Sequence, residues 1–252
     1  MTPELRSAIE HTPLVLAEPE EPFWGFGEVL TMAATFLITL ALVAGGFSGL
    51  LKDQARLGYW QVIEESLAYA VLFLALKLLF FWAEKPLFRS LGWIPVAFGV
   101  QEMLLLGILL SAASSVLLLL LHTPEVHTPF EKMLNNDLAS RIVITVFGIT
   151  LGPVVEELLF RGFLQPVLVN AAGTFPGILI TSCFFGAMHL SQNAGMWQSG
   201  LVITLAGFAF GLMRHVLGST RASTILHIGY NSLPFALTLL QGLAQGADPI
   251  HK

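Results

Sequence analysis

Charged residues, cysteines and basic clusters are all scarce in this sequence of 252 residues. Asp, Glu, Lys and Arg make up 12% of the chain, against about 25% in an ordinary soluble domain, so a water-soluble protein is not expected. Cys183 is the single cysteine, which excludes an intrachain disulfide. The sequence has no cluster of Lys and Arg that would suit a phosphate backbone, and nucleic acid is therefore not an expected partner.

Long apolar segments dominate the rest of the sequence. The hydrophobic fraction is 55% and the mean hydropathy is +0.75. A helix of about 20 apolar residues crosses a bilayer, so these segments predict an all-α, polytopic transmembrane bundle of about seven to eight helices. Gly207 and Gly211 have the small-xxx-small spacing that permits close helix packing in lipid. The segments lie at 26–51, 62–82, 98–121, 140–169, 174–190, 198–216 and 222–243.

Four parts are predicted along the chain. Residues 1–23 are rich in Glu and Pro and are expected to form a disordered acidic tail. Residues 24–139 contain the first three apolar segments and are interpreted as transmembrane scaffold helices. Residues 140–243 contain the others and are predicted to form the catalytic core, and residues 244–252 form a C-terminal tail.

Three polar clusters interrupt the apolar segments of the predicted core. A charged side chain at the centre of a bilayer costs about 2.5 to 3.5 kcal/mol on insertion scales, so ionisable groups there normally face a partner or a cavity. Such residues therefore indicate a functional site inside the membrane. The clusters are Glu156, Glu157 and Arg161 in VVEELLFRGF, His189 in CFFGAMHL, and His227 with Asn231 in LHIGYN.

The positions of these clusters predict that they meet. Glu156 and His189 each lie about 16 residues from the turn at 172–173, so in an antiparallel helix pair they reach a similar depth. His227 and Asn231 are four residues apart and share one face of the last helix, which enters the membrane from the same side as that turn. We therefore expect these polar groups to converge in one pocket.

The first cluster is also expected to shape its own helix. Glu157 and Arg161 are four residues apart and are predicted to pair, which leaves Glu156 to face another part of the site. Pro153 removes an amide donor and frees the carbonyl of Ile149, so we expect a kink one turn before the carboxylates.

The chemistry that fits this set of side chains is hydrolysis of an amide bond by an activated water. A carboxylate accepts the proton of the water, while imidazole and carboxamide groups donate hydrogen bonds to the developing oxyanion. One of the two adjacent glutamates is enough to act as the base.

In these motifs the sequence resembles the CAAX prenyl protease and bacteriocin-processing (CPBP) family of intramembrane glutamic endopeptidases. This family includes the type II CAAX prenyl proteases and bacterial self-immunity proteins. The resemblance covers residues 140–243. It implies that Glu157 and Arg161 of the first motif organise the glutamate helix. The family patterns EExxxR, FxxxH and HxxxN match Glu156, Glu157 and Arg161, then Phe185 and His189, then His227 and Asn231.

The resemblance also implies an activity. It assigns water activation to Glu156 and His189 and oxyanion stabilisation to His227 and Asn231, with no cofactor. The expected function is an intramembrane endopeptidase, acting on a membrane-associated protein or peptide by CAAX-type cleavage or by bacteriocin or leader processing. A multi-pass location in a bacterial plasma membrane is expected, with peptide substrate and lipid bilayer as partners.

Two alternative interpretations of the polar clusters stay open. Glu156, His189 and His227 offer one carboxylate and two imidazoles, the donors of a catalytic zinc site, although the sequence lacks an HExxH pair. A non-catalytic membrane immunity or scaffold protein is the second alternative, in which the same cluster binds a peptide or holds the bundle together. A transporter is less favoured because the sequence shows no internal repeats.

Overall fold

The computed structural model of the chain describes residues 21–48, 57–96 and 99–246. The regular elements in these ranges are all helical, and no strand occurs in them, which confirms the predicted all-α membrane bundle. Most of the predicted tail at 1–23 lies outside the described residues, as do residues 247–252 of the predicted C-terminal tail.

The described helices follow the predicted apolar segments closely. The second helix begins at Leu57 rather than at residue 62, so Glu65 lies about two turns inside it instead of near its end. The elements are α1 (Phe26–Ser48), α2 (Leu57–Trp82), α3 (Leu87–Ser90), α4 (Val100–Leu120), α5 (Pro129–Leu134), α6 (Leu138–Ile149), α7 (Leu151–Glu157), a π-helical segment (Leu158–Leu164), α8 (Gln165–Ala172), α9 (Thr174–Met188), α10 (Trp197–Leu217) and α11 (Thr220–Gly246).

The outer surface of the bundle is apolar. Leu42 and Leu119 are 70% and 77% exposed, and many other large hydrophobic side chains share such positions, which is unfavourable in water and suits lipid. Four helical segments among the described residues are long and apolar enough to cross a membrane. The chain is therefore an integral membrane protein, and its seven passes stay a prediction. The four segments lie at 26–46, 100–120, 138–172 and 197–217.

The predicted segment 140–169 is not one continuous α-helix. Helix α6 ends at Ile149, Thr150 adopts φ −127° and ψ −86°, and α7 begins at Leu151. Pro153 explains the break, because it has no amide hydrogen for the carbonyl of Ile149 and its ring displaces that carbonyl. The kink predicted ahead of the carboxylates is confirmed.

A one-residue turn joins α8 to α9. Helix α8 ends at Ala172 and α9 begins at Thr174, so Gly173 alone reverses the chain. Its φ of 88° lies in the left-handed region, which glycine adopts without a Cβ clash. The turn confirms the predicted antiparallel pair and brings the end of α9 back toward the carboxylates.

Helix α11 is held against α4 by two glycines. A Cβ atom at Gly107 would collide with the carbonyl of Leu226, and one at Gly229 would collide with the carbonyl of Leu104. Because both positions lack a side chain, the two backbones approach closely. This packing fixes the rotation of α11, the helix that holds the last polar cluster.

The chain before α1 is anchored to the centre of the bundle. Trp24 is 5% exposed and its indole Nε1 donates a hydrogen bond to the carbonyl of Phe163 at 2.9 Å. The rings of Trp24 and Phe163 are stacked, with centroids 5.3 Å apart. Leu72, Leu76 and Phe80 of α2 complete this cluster, so the N-terminal helices pack directly on the π-helical segment.

Candidate active site

The first polar cluster lies where α7 passes into the π-helical segment. Arg161 Nη1 donates to Glu157 Oε1 at 2.9 Å, and both side chains are fully buried. The pairing predicted from their spacing is confirmed. A π-helical turn changes the direction of side chains relative to an α-helix and is often found at functional sites; here the segment places Arg161 against α10.

The buried guanidinium of Arg161 is enclosed by partners on several sides. Its Nη2 donates to the carbonyl of Gly207 at 2.8 Å, and its Cζ lies 4.4 Å from the ring centroid of Phe185 and 5.4 Å from that of Phe210. A buried charge needs such compensation, because removal from water is unfavourable. Arg161 is therefore held in one place and is not open to a ligand.

Helix α10 approaches this segment through the small residues noted in the sequence. One turn beyond Arg161, the side-chain Nε2 of Gln165 donates to the carbonyl of Gly211 at 3.0 Å. A Cβ atom at Gly207 would lie 3.1 Å from Arg161 Nη2, and one at Gly211 would lie 2.8 Å from Gln165 Oε1. The small-xxx-small spacing therefore permits two side-chain to backbone bonds, and the predicted close approach is confirmed.

His227 bridges the two glutamates. Its Nδ1 lies 3.0 Å from Glu157 Oε1, and because that carboxylate already accepts from Arg161, the imidazole is the donor. The other ring nitrogen, Nε2, lies 3.8 Å from Glu156 Oε2. Phe210 stacks on the imidazole with ring centroids 4.4 Å apart. Glu157 therefore fixes both the tautomer and the orientation of His227.

The two adjacent carboxylates have different surroundings. Glu157 is fully buried, whereas the side chain of Glu156 is 23% exposed. The bonds described for Glu157 run to Arg161 and His227, and its Oε2 has no hydrogen-bond partner. Glu156, rotated about 100° around the helix, faces a cavity instead.

His189 is the C-terminal cap of α9 and is also fixed through one nitrogen. Its Nδ1 donates to the carbonyl of Phe185 at 2.7 Å, since a carbonyl oxygen only accepts. In the neutral imidazole this leaves Nε2 as an acceptor. Asn193 Nδ2 donates to the backbone carbonyl of His189 at 2.9 Å and steadies the chain after the helix.

Asn231 links the last helix to the kink in front of the carboxylates. Its Nδ2 donates to the carbonyl of Gly148 at 2.8 Å. The break at Thr150 ends the regular helical pattern in this region, and the carboxamide supplies a donor there. A carboxamide carries two amide hydrogens, so this bond uses one of them.

One cavity of ≈ 280 Å³ connects these groups. Glu156, His189, His227 and Asn231 all line it, whereas Glu157 and Arg161 lie behind its wall. Four of the five polar groups expected to converge therefore line one cavity, and the fifth, Glu157, lies behind the wall with its partner Arg161. Aromatic and aliphatic side chains form most of the remaining surface.

The comparison with protein-family models gives one match. Residues 138–233 match the family described as type II CAAX prenyl endopeptidase Rce1-like. This segment, less than half of the chain, is similar to the Rce1-like family. The segment runs from the first residue of α6 into α11 and contains all three motifs, so the resemblance stated from the motifs is confirmed. Searches of curated proteins and of solved structures give no match for the chain.

The match of this segment supports a membrane protease that acts on a peptide or protein substrate. The matched segment supplies Glu156, His189, His227 and Asn231 to the cavity wall, but it does not enclose the cavity alone. Helix α2 contributes Gln61 and Glu65, and α5 contributes Phe130 and Met133. Residues 24–139, interpreted from sequence as scaffold, therefore also supply part of the candidate site.

Sequence reasoning missed the contribution of α2 for a specific reason. An apolar segment that begins at residue 62 has Glu65 near its end, close to a membrane surface, where a carboxylate is unremarkable. A signal was present, since Gln61, Glu65 and Tyr69 recur at every fourth residue and form a polar stripe on a helix that is otherwise apolar. Such a stripe on a membrane helix indicates a face turned toward a cavity.

Glu156, His189 and His227 are the candidate ligands of the zinc alternative. Among the described residues, no three His, Cys, Asp or Glu side chains lie close enough to hold a metal ion. Nδ1 of His227 and Nδ1 of His189 both donate to protein acceptors, so only the Nε2 atoms would remain for a metal. This arrangement holds His227 and Glu156 near each other without forming a three-ligand site.

Proposed function

We propose that this protein is an intramembrane endopeptidase that hydrolyses a peptide bond of a membrane-associated protein or peptide, with a water activated by Glu156. The observation that carries the proposal is the position of Glu156: its carboxylate opens into a cavity within 3.8 Å of His227 Nε2, and His189 lines the same cavity. A carboxylate with this exposure inside a membrane protein suits a general base.

The two glutamates have different roles because they have different hydrogen-bond partners. Glu157 is bonded to Arg161 and His227 and does not line the cavity. Glu156 therefore takes the proton of the attacking water. His189, with its Nδ1 committed to a carbonyl, accepts a hydrogen bond from the same water through Nε2 and orients it.

The oxyanion of the tetrahedral intermediate needs hydrogen-bond donors. Asn231 has one amide hydrogen left after its bond to Gly148. His227 donates from Nε2 only when the imidazole carries a second proton, and the proton that Glu156 takes from water is 3.8 Å away. Glu157 stabilises the resulting imidazolium, in the manner of a carboxylate that orients a catalytic histidine.

Collapse of the intermediate then breaks the carbon–nitrogen bond. The proton removed from water passes from Glu156 or His227 to the leaving amine, so that the site returns to its starting state. The products are one new carboxyl terminus and one new amino terminus. Each side chain that takes part in these reaction steps lines the cavity or contacts a residue that does.

The apolar wall of the cavity supports a membrane-associated peptide as the substrate. Phe130, Phe147 and Phe235 line it together with aliphatic residues, and such surfaces hold hydrophobic side chains. The motif resemblance to type II CAAX prenyl proteases and bacterial self-immunity proteins supports CAAX-type or leader-type cleavage. It also supports a multi-pass location in a bacterial plasma membrane.

Proteomics of the membrane fraction tests this function. Cells that produce the wild-type protein are compared with cells that produce Glu156→Gln, which keeps the size of the side chain but removes the base. The exposed Glu102 at the start of α4 provides the control Glu102→Gln. We expect protein termini that occur with the wild type and the control and disappear with Glu156→Gln. Unchanged termini in a folded Glu156→Gln protein would favour the non-catalytic alternative.

A further inference from the structure

Arg214 is a mostly buried cation without a partner among the described residues. It lies in the last turn of α10, at one end of a helix that is long and apolar enough to cross a membrane. Its Nε is buried and has no hydrogen-bond acceptor, and no carboxylate of the described residues forms an ion pair with it. A buried charge is normally compensated, as Glu157 compensates Arg161. Arg214 therefore indicates a site for an anionic ligand.

The guanidinium of Arg214 packs directly on the backbone of Gly92. A Cβ atom at Gly92 would collide with Nη2 and would lie 2.7 Å from Cζ and 2.9 Å from Nε. Gly92 has a φ of 76°, in the left-handed region that favours glycine. Its carbonyl accepts a hydrogen bond from the amide of Thr220 at 2.8 Å, and the hydroxyl of Thr220 donates to the carbonyl of Leu91 at 2.6 Å. The loop before α4 and the start of α11 thus hold the backbone under the guanidinium in place.

The end of the guanidinium of Arg214 is open, although its base is enclosed. Nε is buried, whereas Nη1 and Nη2 keep accessible surface and have no acceptor among the described residues. A neutral acceptor would satisfy these N–H groups but would leave the positive charge uncompensated. A phosphate does both, because the planar guanidinium binds two of its oxygen atoms with parallel, charge-assisted hydrogen bonds. A phosphate group is therefore the ligand that fits.

The surroundings of this site lie at the level of lipid headgroups. Trp82 is the last residue of α2 and is 80% exposed, and an exposed Trp at a helix end is typical of the membrane–water interface. The stretch 83–96 contains the exposed cations Lys85 and Arg89 and one exposed carboxylate, Glu84. Arg89 lies next to the site, because its carbonyl accepts a hydrogen bond from the amide of Gly92 at 2.9 Å. Lipid phosphates lie at this depth and are attracted by such positive charge.

We propose that Arg214 binds the phosphate group of a membrane lipid, and that Arg89 adds positive charge beside it. The bound phosphate joins the loop before α4 to the end of α10. Arg214 does not line the cavity, so this site is separate from the proposed peptide hydrolysis. The lipid stabilises α10, the helix whose Gly207 carbonyl accepts the hydrogen bond from Arg161.

Thermal unfolding tests the site with ligands that separate the phosphate from the acyl chains. The full-length protein, freed of lipid in dodecyl maltoside, is titrated with dioleoyl phosphatidylglycerol, with dioleoylglycerol, which lacks the phosphate, and with glycerol phosphate, which lacks the chains. We expect phosphatidylglycerol at about 100 times its Kd to raise the Tm by roughly 5 to 10 °C, with little effect of the other two. Equal stabilisation by dioleoylglycerol would overturn a phosphate site, and equal stabilisation by glycerol phosphate would overturn a lipid as the source of the phosphate.

Two variants isolate the buried cation. Arg214→Met should abolish the stabilisation by phosphatidylglycerol, and in dodecyl maltoside alone its Tm should equal or exceed that of the wild type, because an uncompensated buried charge is removed. Lys77 is exposed near the same end of α2 as Trp82, so the control Lys77→Met removes a cation near the same membrane surface and should keep the shift. A shift retained by Arg214→Met or lost equally in Lys77→Met would overturn the proposal, as would a markedly lower Tm of Arg214→Met in detergent alone.

Native mass spectrometry measures lipid binding without unfolding the protein, so it does not depend on the stability of the variants. The wild type and Lys77→Met should bind phosphatidylglycerol about tenfold more tightly than Arg214→Met, as expected for the loss of charge-assisted hydrogen bonds. Arg89→Met removes charge beside the site and should weaken binding by a smaller factor. Equal binding by the wild type and Arg214→Met would overturn the proposal.

Discussion

The candidate site has two halves, and each contains a glutamate and a histidine nitrogen. In one half these groups are paired and buried, and in the other they are open to the cavity. The buried half, Glu157 and Arg161 with the Nδ1 edge of His227, has its charges paired and its side chains enclosed. The open half consists of Glu156 and Nε2 of His189, which face a cavity. The difference indicates that the paired glutamates are not interchangeable: one positions a histidine and the other meets the substrate.

Position along the chain does not explain this difference, because the two glutamates are adjacent. Their difference arises from the rotation of one residue around the helix and from the neighbours on each side. The π-helical segment and the glycines of α10 turn one carboxylate inward, where Arg161 and Gly207 complete the network. The kink at Thr150 opens the other side.

Breaking the buried half should have the largest effect. Arg161→Met keeps the volume and the aromatic contacts but leaves Glu157 buried without its cation, which should destabilise the protein by about 3 to 5 kcal/mol and abolish activity. Thermal unfolding in detergent and cleavage of membrane substrates measure the two losses. The exposed Arg221 provides the control Arg221→Met. A stable and active Arg161→Met protein would show that the buried half is dispensable.

Removing an oxyanion donor should have a smaller effect, confined to the rate. Asn231→Ala should lower kcat by about 100-fold to 1,000-fold and should cost little stability, because the bond to Gly148 is single and the side chain is only partly buried. The next residue offers the control Ser232→Ala, whose hydroxyl donates to its own helix. A large rise in KM at constant kcat would assign Asn231 to substrate binding instead.

Weakening the contact between the π-helical segment and α10 should have a modest effect. Gln165→Met removes the hydrogen bond to Gly211 at similar volume and should lower stability by about 1 kcal/mol with little change in kcat. Unfolding and kinetic measurements on the same samples check both values. A loss of rate as great as that of Asn231→Ala would mean that the contact tunes the chemistry as well as the packing.

Chelation should have the smallest effect of all. Since the described residues do not form a three-ligand metal site, a strong chelator such as 1,10-phenanthroline should leave the activity of the purified protein unchanged. Metal analysis of the same preparation provides the control. Loss of activity that added Zn²⁺ restores would support the zinc alternative for Glu156, His189 and His227.

Much of the site could be predicted from the sequence because the relevant residues lie on one helix or on two helices joined by a short turn. The spacing of Glu157 and Arg161 predicts their pairing, Pro153 predicts the break, and equal distance from the turn at 172–173 predicts that Glu156 and His189 reach one pocket. These inferences need only helix geometry and the unfavourable energy of charge in lipid. The observed contacts agree with them.

Other features depend on packing between distant helices and could not be predicted in this way. The contact of His227 with Glu157 as well as Glu156 is set by the rotation of α11, which Gly107 and Gly229 determine. The π-helical register of 158–164 has no local sequence signature. The approach of α2 to the cavity likewise depends on tertiary packing, and only the polar stripe through Glu65 indicated it.

The most direct measurement is a side-by-side comparison of Glu156→Gln and Glu157→Gln by cleavage rate and by thermal stability. Glu156→Gln should lower the rate by about 100-fold to 10,000-fold with the melting temperature nearly unchanged, because its side chain is partly exposed and faces the cavity. Glu157→Gln should lower the melting temperature sharply, because it leaves Arg161 buried without a carboxylate. Equal effects of the two substitutions, or the reverse pattern, would contradict the separation of a reacting glutamate from a positioning one.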